Sequence, residues 1–412
     1  MDCLYRCVCG LDVHKDSVMA CVTWRDDRDR IEREVRKFGT TTREIERLGA
    51  WLSERGVSHV AMESTGVYWV PIYNLLEDHF ELLLVNAQAV RRMPGRKTDV
   101  SDAEWLASLQ LRGLLAASFV PPREQRDLRD LTRLRSQFVA QRAQTANRVQ
   151  KVLEQANCKL GSVASDVLGT SGRAILAALV AGETDPQVLA ALARGRLREK
   201  LAELREALTA RVSEHHRFLL GLLLGQIDQL QEQIDQLNQR IEALYAPFQA
   251  TWAPLLAIPG VGQRTVENIL AEIGWDLSRF PSSAHLASWA KLCPGTCESA
   301  GKRRGSSAGH GNRWLRAALV QAAWGASHTK GTYFAAYYRK LAQRRGKKRA
   351  LVALAHALLV TIYHLLTEPG EYCDLGSDWV DQRSSEQRVR YHMAQLRKLG
   401  VEVTLPAAGD AA

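Results

Sequence analysis

The sequence predicts an α/β domain followed by mainly helical parts, so its fold class is α/β plus α. Three observations support this: strand and helix signals alternate over the first 110 residues, a heptad pattern runs from Leu220 to Leu244, and a glycine-containing basic block follows. The predicted domains are an α/β domain at 1–155, a helical connector with the coiled coil at 156–250, a helical domain at 251–366 and a peripheral acidic tail at 367–412.

The α/β domain is predicted from short apolar strand signals and helical periodicity. The predicted order is strands at 6–13, 17–24 and 34–38, a helix at 42–55, a strand at 58–62, a helix at 68–77, a strand at 81–85 and a helix at 99–111. Strands that alternate with helices in this way are typical of a layered α/β fold.

The chain from 122 to 250 is predicted to be helical. One apolar stripe is expected in its first part, formed by Leu128, Leu131, Leu134, Phe138 and Val139. A heptad seam follows, formed by Leu220, Leu223, Ile227, Leu230, Ile234, Leu237, Ile241 and Leu244. Alternating steps of three and four favour a coiled coil and therefore a homo-oligomer. The alternative is an amphipathic helix that packs within its own chain.

The net charge of +10 is concentrated in one part of the chain. Residues 251–366 hold 16 basic and 4 acidic side chains, whereas residues 1–118 hold 16 and 18, and residues 367–412 hold 5 and 8. We call residues 251–366 the basic block. Such a surplus indicates a polyanion, such as nucleic acid, as the partner.

Other features of the sequence argue against export or membrane insertion. The N-terminus carries charges where a signal peptide needs an apolar run. The longest apolar stretch, 351–366, is short for a membrane span and contains two histidines, so we expect a buried helix there. The eight cysteines show no C-x-x-C spacing. We therefore expect a cytoplasmic protein with reduced thiols and no membrane partner.

Four acidic residues stand at the ends of predicted elements. Asp12 follows the first strand, Glu63 follows the fourth, and Asp99 and Asp102 open the helix after the fifth. Strand ends converge at one sheet edge, and i, i+3 spacing places both helical carboxylates on one face. An RNase H-like fold holds its metal ligands at these places, and such oxygens suit Mg²⁺ or Mn²⁺. The alternative is a turn residue, a cap and an acidic first turn.

Residues 256–274 predict a turn that leads into an amphipathic helix. Gly260 and Gly262 lie in the turn, and the helix has apolar residues at Val266, Ile269, Leu270 and Ile273. This is the pattern of a helix-hairpin-helix, in which glycines let the backbone approach a phosphate and the helix N–H groups bind it. An ordinary turn between packed helices is the alternative.

The segment CPGTCESAGKRRGSSAGHGNRWLR, residues 293–316, predicts an exposed loop that leads into a helix. It contains the serines Ser299, Ser306 and Ser307 and the cations Lys302, Arg303, Arg304, Arg313 and Arg316. A serine beside cations could attack a phosphodiester while the cations stabilise the developing charge. A loop that only binds phosphate is the alternative.

A second cluster of cations lies at 339–349. It holds seven basic residues in eleven and no acid, including Arg344, Arg345, Lys347 and Lys348, and three tyrosines precede it. This composition favours phosphate contacts with base stacking. A solvated run of charge is the alternative.

Together these motifs resemble the DEDD transposases of the Piv/MooV type, insertion-sequence enzymes also described as bridge-RNA-guided recombinases. The N-terminal matches are GLDVHKD (10–16), ESTGVYW (63–69) and VNAQAVRRMPGRKTDVSDAEWLA (85–107). The C-terminal matches are IPGVGQRTVENILAEIG (258–274) and LASWAKLCPGTCESAGKRRGSSAGHGNRWLRAAL (286–319). They follow the family's order and cover residues 7–155 and 250–366.

The resemblance implies a RuvC-like domain in which Asp12, Glu63, Asp99 and Asp102 bind Mg²⁺ or Mn²⁺, and a transposase domain in which Ser299 is the nucleophile. It implies a covalent phosphoserine link to DNA, and composite active sites between protomers of a dimer or tetramer. It also implies a structured bridge RNA that pairs with donor and target DNA. Ser306 and Ser307 stay open as the nucleophile, because Ala300 stands here where the family usually has glycine.

The sequence therefore predicts a DNA recombinase that excises and inserts its own mobile element. One alternative is a site-specific DNA invertase, or a metal-dependent junction nuclease without a covalent step. The other is a non-catalytic coiled-coil protein that binds nucleic acid.

Overall fold

In a computed structural model the chain forms two compact units, residues 1–123 and 124–412. The structure describes residues 4–28, 30–63, 66–87, 90, 93, 101–293, 298–299, 302–303, 311–368, 370–379, 393 and 395–397. For residues 298–299 and 302–303 it describes the backbone alone. The domain boundaries drawn from the sequence stay predictions.

The first unit is built on a five-stranded mixed sheet. Its elements are β1 (Cys7–Val13), β2 (Val18–Arg25), β3 (Ile31–Phe38), α1 (Thr42–Glu54), β4 (His59–Glu63), α2 (Trp69–Leu76), β5 (Glu81–Val85) and α3 (Asp102–Leu111). The strand order is β3-β2-β1-β4-β5, in which the first two pairs are antiparallel and β1, β4 and β5 run parallel. The predicted α/β succession is confirmed, although β3 begins earlier because it pairs along all of β2.

The two faces of this sheet pack against different helices. On one face, Leu11 of β1 belongs to the same buried cluster as Ile45 and Leu48 of α1. On the other face, Cys21 of β2 packs with Ala103 and Ala107 of α3. Successive residues of a strand point to opposite faces, so α3 covers the face that Gly10 and Asp12 share.

The second unit is mainly helical in its described part. Its helices are α4 (Arg123–Gln155), α5 (Leu160–Val163), α6 (Thr170–Ala181), α7 (Pro186–Ala191), α8 (Leu201–Leu208), α9 (Glu214–Tyr245), α10 (Gln249–Trp252), α11 (Gln263–Ile273), α12 (Ser283–Trp289), α13 (Arg313–His328), α14 (Tyr333–Arg345) and α15 (Lys347–Thr367). Short 3₁₀ helices lie at Gly195–Lys200, Ala246–Phe248 and Ala253–Ala257. Two short antiparallel strands, β6 (Glu298–Ser299) and β7 (Lys302–Arg303), precede α13.

The heptad seam of α9 is buried within its own chain. Of the predicted seam, Leu220, Ile227, Leu230, Ile234 and Ile241 are buried, and Leu223, Leu237 and Leu244 are partly buried. Arg142 of α4 donates a hydrogen bond to Gln231 of α9. Thr145, which lies further along α4, donates to Gln226, which lies earlier in α9. Helices α4 and α9 therefore run antiparallel. This arrangement matches the alternative in which the amphipathic helix packs on a helix of the same chain.

The apolar stripe predicted along α4 is wrong at two of its five positions. Leu134 and Val139 are exposed, at 40% and 43%, whereas Thr132 and Arg135 are buried. The physical reason is that Arg135 finds a buried carboxylate partner, Glu267 of α11. An arginine can occupy a buried position, where an apolar residue would be expected, if its charge is paired.

A second large core joins the C-terminal helices. It includes Leu270 of α11, Leu319 of α13 and Leu358 of α15. Of the helices that the structure describes, α15 is long and apolar enough to cross a membrane by length and composition alone. Its residues Leu354, Leu358 and Ile362 are completely buried in this core, as predicted for an internal helix.

The first part of the acidic tail packs on the start of α14. Asp374 accepts a hydrogen bond from the Tyr333 backbone N–H at 2.9 Å. Tyr372 stacks on Phe334 with 6.3 Å between ring centroids, and Trp379 meets Tyr333 edge-on at 5.4 Å. One of the tyrosines predicted to stack on bases is therefore partly covered by this segment.

Candidate functional site

Two of the predicted metal ligands lie side by side at the ends of neighbouring parallel strands. Leu11 of β1 is in register with Met62 of β4, so Asp12 and Glu63 occupy the next position along each strand. Both residues are partly buried. Side chains alternate between the faces with a period of two, so both carboxylates lie on the face that carries Gly10 and Ala61.

A close contact brings Asp102 to the same face. Gly10 lies directly beneath α3, since a Cβ there would be 2.2 Å from the Ala103 carbonyl oxygen and 2.5 Å from the Ala107 nitrogen. Asp102 is the first residue of α3 and the neighbour of Ala103. Because Gly10 has no side chain, α3 packs directly on β1 at this position, which is two residues before Asp12. Asp102, at the start of α3, is thereby placed over β1.

The start of α3 is fixed by a capping box. The Ser101 hydroxyl accepts from the Glu104 N–H at 3.3 Å, and the Glu104 carboxylate accepts from the Ser101 N–H at 3.0 Å. Arg33 of β3 donates to the same carboxylate at 3.3 Å. The Ser101 hydrogen bond is the main cause that holds the pKa of Glu104 below its ordinary value. These bonds set where the helix begins and hence where Asp102 lies.

The fourth predicted ligand, Asp99, lies outside the described residues. Within the residues that the structure describes, no three or more His, Cys, Asp or Glu side chains gather closely enough to hold a metal ion. The donor chemistry nevertheless fits a hard divalent cation, because Asp12, Glu63 and Asp102 are partly exposed carboxylates on one sheet face.

His14 is a neighbour of this site that sequence reasoning missed as a site residue. Its Nε2 lies 3.2 Å from Oδ2 of Asp12. The signal available was its position two residues after Asp12, in the turn between β1 and β2. An imidazole at this distance can orient the carboxylate by a hydrogen bond.

The predicted hairpin before α11 has the expected turn, but its two glycines have different surroundings. Gly260 has φ +80°, and a Cβ there would be 2.3 Å from the Ala326 nitrogen and 2.4 Å from the Ala322 oxygen of α13. Its close approach is therefore to a helix of the same chain. Gly262 is the N-cap of α11, and no heavy atom of the described residues lies within 4 Å of such a Cβ. The open face of this turn lies at Gly262.

The loop that carries Ser299 includes a tight backbone pairing. Ser299 of β6 is the antiparallel partner of Lys302 in β7. We call residues 293–311 the serine loop. The side chains of Ser299, Lys302 and Arg303 lie outside the described set, as do Arg304, Ser306 and Ser307. The register brings the backbone of the predicted nucleophile beside that of a predicted phosphate ligand.

Of the cations predicted to bind nucleic acid, those that the structure describes fall on three consecutive helices. Arg313 and Arg316 lie in the first turn of α13, and the Arg313 guanidinium lies 4.7 Å from the centroid of the Trp314 ring. Arg344 and Arg345 end α14, and Lys347 and Lys348 begin α15, all four exposed. Cations at a helix N-terminus oppose the helix dipole. The electrostatic potential at the start of α15 is therefore strongly positive.

A buried ionic network joins α4 to α11, and sequence reasoning missed it. Glu267 and Glu272 of α11 are each 1% exposed. Arg135 pairs with Glu267, and Arg129 and Arg133 pair with Glu272. Burial lowers the pKa of Arg129 to about 10. The available signal was that the basic block has only four acids, two of which lie on one helix with apolar neighbours.

Two regions of the chain match family models. Residues 9–158 match a model described as a transposase, the DEDD domain of IS110 elements. Residues 253–339 match a model described as the transposase of the IS116/IS110/IS902 family. The first region contains all four predicted acidic ligands, and the second contains the hairpin and the serine loop.

Several curated proteins are similar to the chain. It is 33% identical over 115 residues to the insertion element IS110 uncharacterized 43.6 kDa protein of Streptomyces coelicolor, which is 28% of each chain. It is 34% identical over 117 residues to the pilin gene-inverting protein of Moraxella bovis, which is 28% of this chain and 36% of that protein. It is 26% identical over 315 residues to a probable family 20 transposase of Pseudomonas aeruginosa, which is 75% of this chain and 83% of that protein.

Proposed function

Because the chain belongs to the IS110 family of insertion-sequence transposases, we propose that it cuts and rejoins DNA through a covalent phosphoserine intermediate. The observation that supports this proposal is that Asp12 and Glu63 lie on neighbouring strands, on the sheet face that is covered by the helix that begins at Asp102, in a chain that also contains the serine loop. We place the protein in the bacterial cytoplasm, at the nucleoid, where its substrate lies.

The metal site of this proposal consists of Asp12, Glu63 and Asp102, completed by Asp99. These residues would hold Mg²⁺ or Mn²⁺, which when bound would withdraw charge from a scissile phosphate. His14 orients the Asp12 carboxylate from 3.2 Å. The capping box at Ser101 fixes the position of Asp102.

The nucleophile of this proposal is Ser299. Its hydroxyl oxygen attacks the phosphorus, the bond from phosphorus to the leaving sugar oxygen breaks, and the serine proton passes to a base while the leaving oxygen gains a proton. Attack by the hydroxyl of another strand reverses these changes and releases the serine. Lys302, Arg303 and Arg304 stabilise the charge that develops on the phosphate.

The nucleic-acid surface of this proposal is the basic block. Gly262 presents the start of α11 to a phosphate, and the cations of α13, α14 and α15 contact others. The partners are donor DNA, target DNA and a structured bridge RNA. The protein acts as a homo-oligomer, whose contacts use surfaces other than the buried α9 seam.

A second candidate function is site-specific DNA inversion. It is favoured by the similarity to a pilin gene-inverting protein. The chemistry would be the same, and the arrangement of the DNA would differ. An inverted segment beside the gene, rather than mobile ends that flank it, would identify this case.

The proposal is tested by trapping a protein–DNA adduct that survives denaturation. We expect the adduct with the unaltered protein and Mg²⁺, its loss in Ser299→Ala, and at least a hundredfold lower yield in Asp102→Asn. Ser306→Ala and Ser307→Ala are matched controls in the same loop. An adduct that persists in Ser299→Ala would overturn the role of that residue. Hydrolysed products without any adduct would favour a junction nuclease, and binding without cleavage would favour a non-catalytic protein.

A further inference from the structure

Glu272 is a buried carboxylate that links two separate segments of the second unit. It lies one residue before the end of α11 and is 1% exposed. Arg133 of α4 donates to both of its oxygens, at 2.7 and 2.8 Å, and Asn312 donates to Oε2 at 2.6 Å. Arg129 Nε lies 3.3 Å from the same Oε2. The carboxylate therefore joins α4 to the residue that follows the serine loop.

The position of Glu272 is costly for a carboxylate. The C-terminal end of a helix carries partial negative charge, which disfavours an acid there. Desolvation of a buried ion pair can cancel its Coulombic gain, so such a pair is weak evidence for a role in stability. A role in fixing geometry explains better why a fully buried acid occupies this place.

Asn312 uses both ends of its side-chain amide. Its Oδ1 accepts from the Trp314 and Leu315 N–H groups at 3.0 and 3.2 Å, which caps α13. Its Nδ2 donates to Glu272. An ionised aspartate could cap the helix but has no proton to donate to Glu272. The residue thus fixes where α13 begins relative to α11.

The two ends of the serine loop meet beside this link. Gly311 has φ +49°, and a Cβ there would lie 2.5 Å from the Ala290 carbonyl oxygen and 2.8 Å from the Lys291 Cβ. Lys291 itself has φ +53°, which is uncommon for a residue with a side chain. The last residue of the loop is thus held against Ala290 and Lys291, which lie just before the loop, and Asn312 follows it directly.

We propose that Glu272 is a positioning residue for the serine loop. It acts through Asn312, and it fixes the base of the loop so that the nucleophile meets the phosphate in a reactive orientation. This inference rests on the proposed function of Ser299. Neither Glu272 nor Asn312 touches DNA in this proposal, so their loss changes the rate of the chemical step and leaves DNA binding intact.

The test compares Glu272→Gln with Glu267→Gln. Both acids lie on α11, both are 1% exposed, and both pair with arginines of α4, but only Glu272 contacts Asn312. We expect similar losses of thermal stability in the two variants. At a temperature where both are folded, we expect the rate of adduct formation to fall roughly tenfold to a hundredfold in Glu272→Gln alone. The Kd for DNA should stay within about twofold in both, because the phosphate contacts are unchanged.

A reciprocal exchange provides the rescue. Asn312→Asp keeps the cap but sets a second carboxylate against Glu272, so it should slow the chemical step as much as Glu272→Gln does. The double variant Glu272→Gln with Asn312→Asp restores one donor and one acceptor in reversed order. We expect it to form adduct at least about threefold faster than either single variant.

Amide hydrogen exchange over residues 290–316 separates failure of this inference from failure of the proposed function. Glu272→Gln should speed exchange at Trp314 and Leu315, and Glu267→Gln should not, whether or not Ser299 is the nucleophile. If exchange changes as expected but no adduct forms in the unaltered protein, the proposed function is wrong and the structural link stands. Equal slowing of the chemistry by Glu267→Gln, or no rescue in the double variant, would overturn the inference.

Discussion

Arg135 of α4 and Glu267 of α11 form an ion pair in which both side chains are almost completely buried, at 4% and 1% exposure. Arg135 also donates to the Asn268 side chain at 2.7 Å. The Tyr245 hydroxyl donates to the Glu267 carbonyl oxygen at 2.7 Å. The pair therefore fixes α4 and α11 relative to each other along their lengths.

Removal of one partner should cost much more than removal of both. Arg135→Met leaves a buried carboxylate without its main partner, and we expect the free energy of unfolding to fall by about 3–5 kcal/mol. Arg135→Met combined with Glu267→Leu removes both charges, so we expect most of that loss to be recovered. Urea unfolding measures both values. A double variant no more stable than Arg135→Met would show that the pair contributes more than mutual compensation.

The close contact between Gly10 and α3 leads to a second prediction, which concerns the effect of Gly10→Ala. A methyl group at Gly10 would overlap backbone atoms of Ala103 and Ala107, so α3 must shift. We expect Gly10→Ala to lower the free energy of unfolding by about 1–3 kcal/mol. We also expect it to lower adduct formation, because Asp102 moves with the helix. Gly225→Ala in α9 is the control, since a Cβ there meets no heavy atom of the other described parts of the chain within 4 Å. Unchanged activity in Gly10→Ala would contradict the placement of Asp102.

The two glycines of the hairpin should respond differently to substitution. Gly260 has a positive φ, and a Cβ at this position would overlap backbone atoms of α13. We therefore expect Gly260→Ala to lower the free energy of unfolding by at least about 2 kcal/mol. Gly262→Asp should keep the fold, because aspartate is a good N-cap residue. Its charge faces the proposed phosphate, so we expect DNA affinity to fall on the order of tenfold. Equal DNA binding by Gly262→Asp in a filter or fluorescence assay would exclude a phosphate at this turn.

The contact between the tail and α14 should depend on pH. Burial alone would raise the pKa of Asp374, but hydrogen bonds from the Tyr333 and Gly376 N–H groups and the Tyr372 hydroxyl hold it below its ordinary value. The folded state then binds its proton less readily than the unfolded chain, whose aspartates have a pKa of about 3.9. The carboxylate therefore stabilises the fold above that pH, and this contribution is lost as the pH falls through the folded pKa.

Asp374→Asn tests this dependence. At pH 7 we expect it to lower the free energy of unfolding by about 1 kcal/mol, the usual contribution of a hydrogen bond. The difference from the unaltered protein should shrink as the pH approaches about 3. Thermal unfolding at several pH values measures it. Asp378→Asn is the control, because the hydrogen bond recorded for Asp378 comes from the adjacent Ser377; a constant difference at all pH values would contradict the assignment.

The sequence predicted the sheet of the first unit well, because its strands are short apolar runs and their order follows from alternation with helices. The position of the acids at strand ends also predicted that they would lie at one sheet edge, and the β1–β4 register places Asp12 beside Glu63. The extent of β3 depended on its partner β2, which a local pattern does not contain.

Long-range pairing explains what local patterns missed. Leu134 is apolar but exposed, and Arg135 is charged but buried, because Arg135 pairs with Glu267. Glu267 lies 132 residues away in the chain, so no local pattern contains this partner. The close approach of Gly260 is to Ala322 and Ala326, which no turn motif identifies. The link between Glu272 and Asn312 likewise joins residues 40 positions apart. Each of these features depends on which helices meet, and periodicity within one helix carries no such information.

The burial of Glu267 and Glu272 has a consequence for the ionic atmosphere around the basic block. Two of its four acids face inward and are neutralised by arginines of α4, outside the block. Because arginines of α4 pair with both acids, these carboxylates offset little of the block's own positive charge, although Arg264 of the block also lies 3.4 Å from Glu267. Each phosphate that the block's cations neutralise releases a condensed counterion, so nucleic-acid affinity should fall steeply as salt rises. The inward turn of two carboxylates thus makes the ionic strength of the cell a control on how firmly the protein holds its substrate.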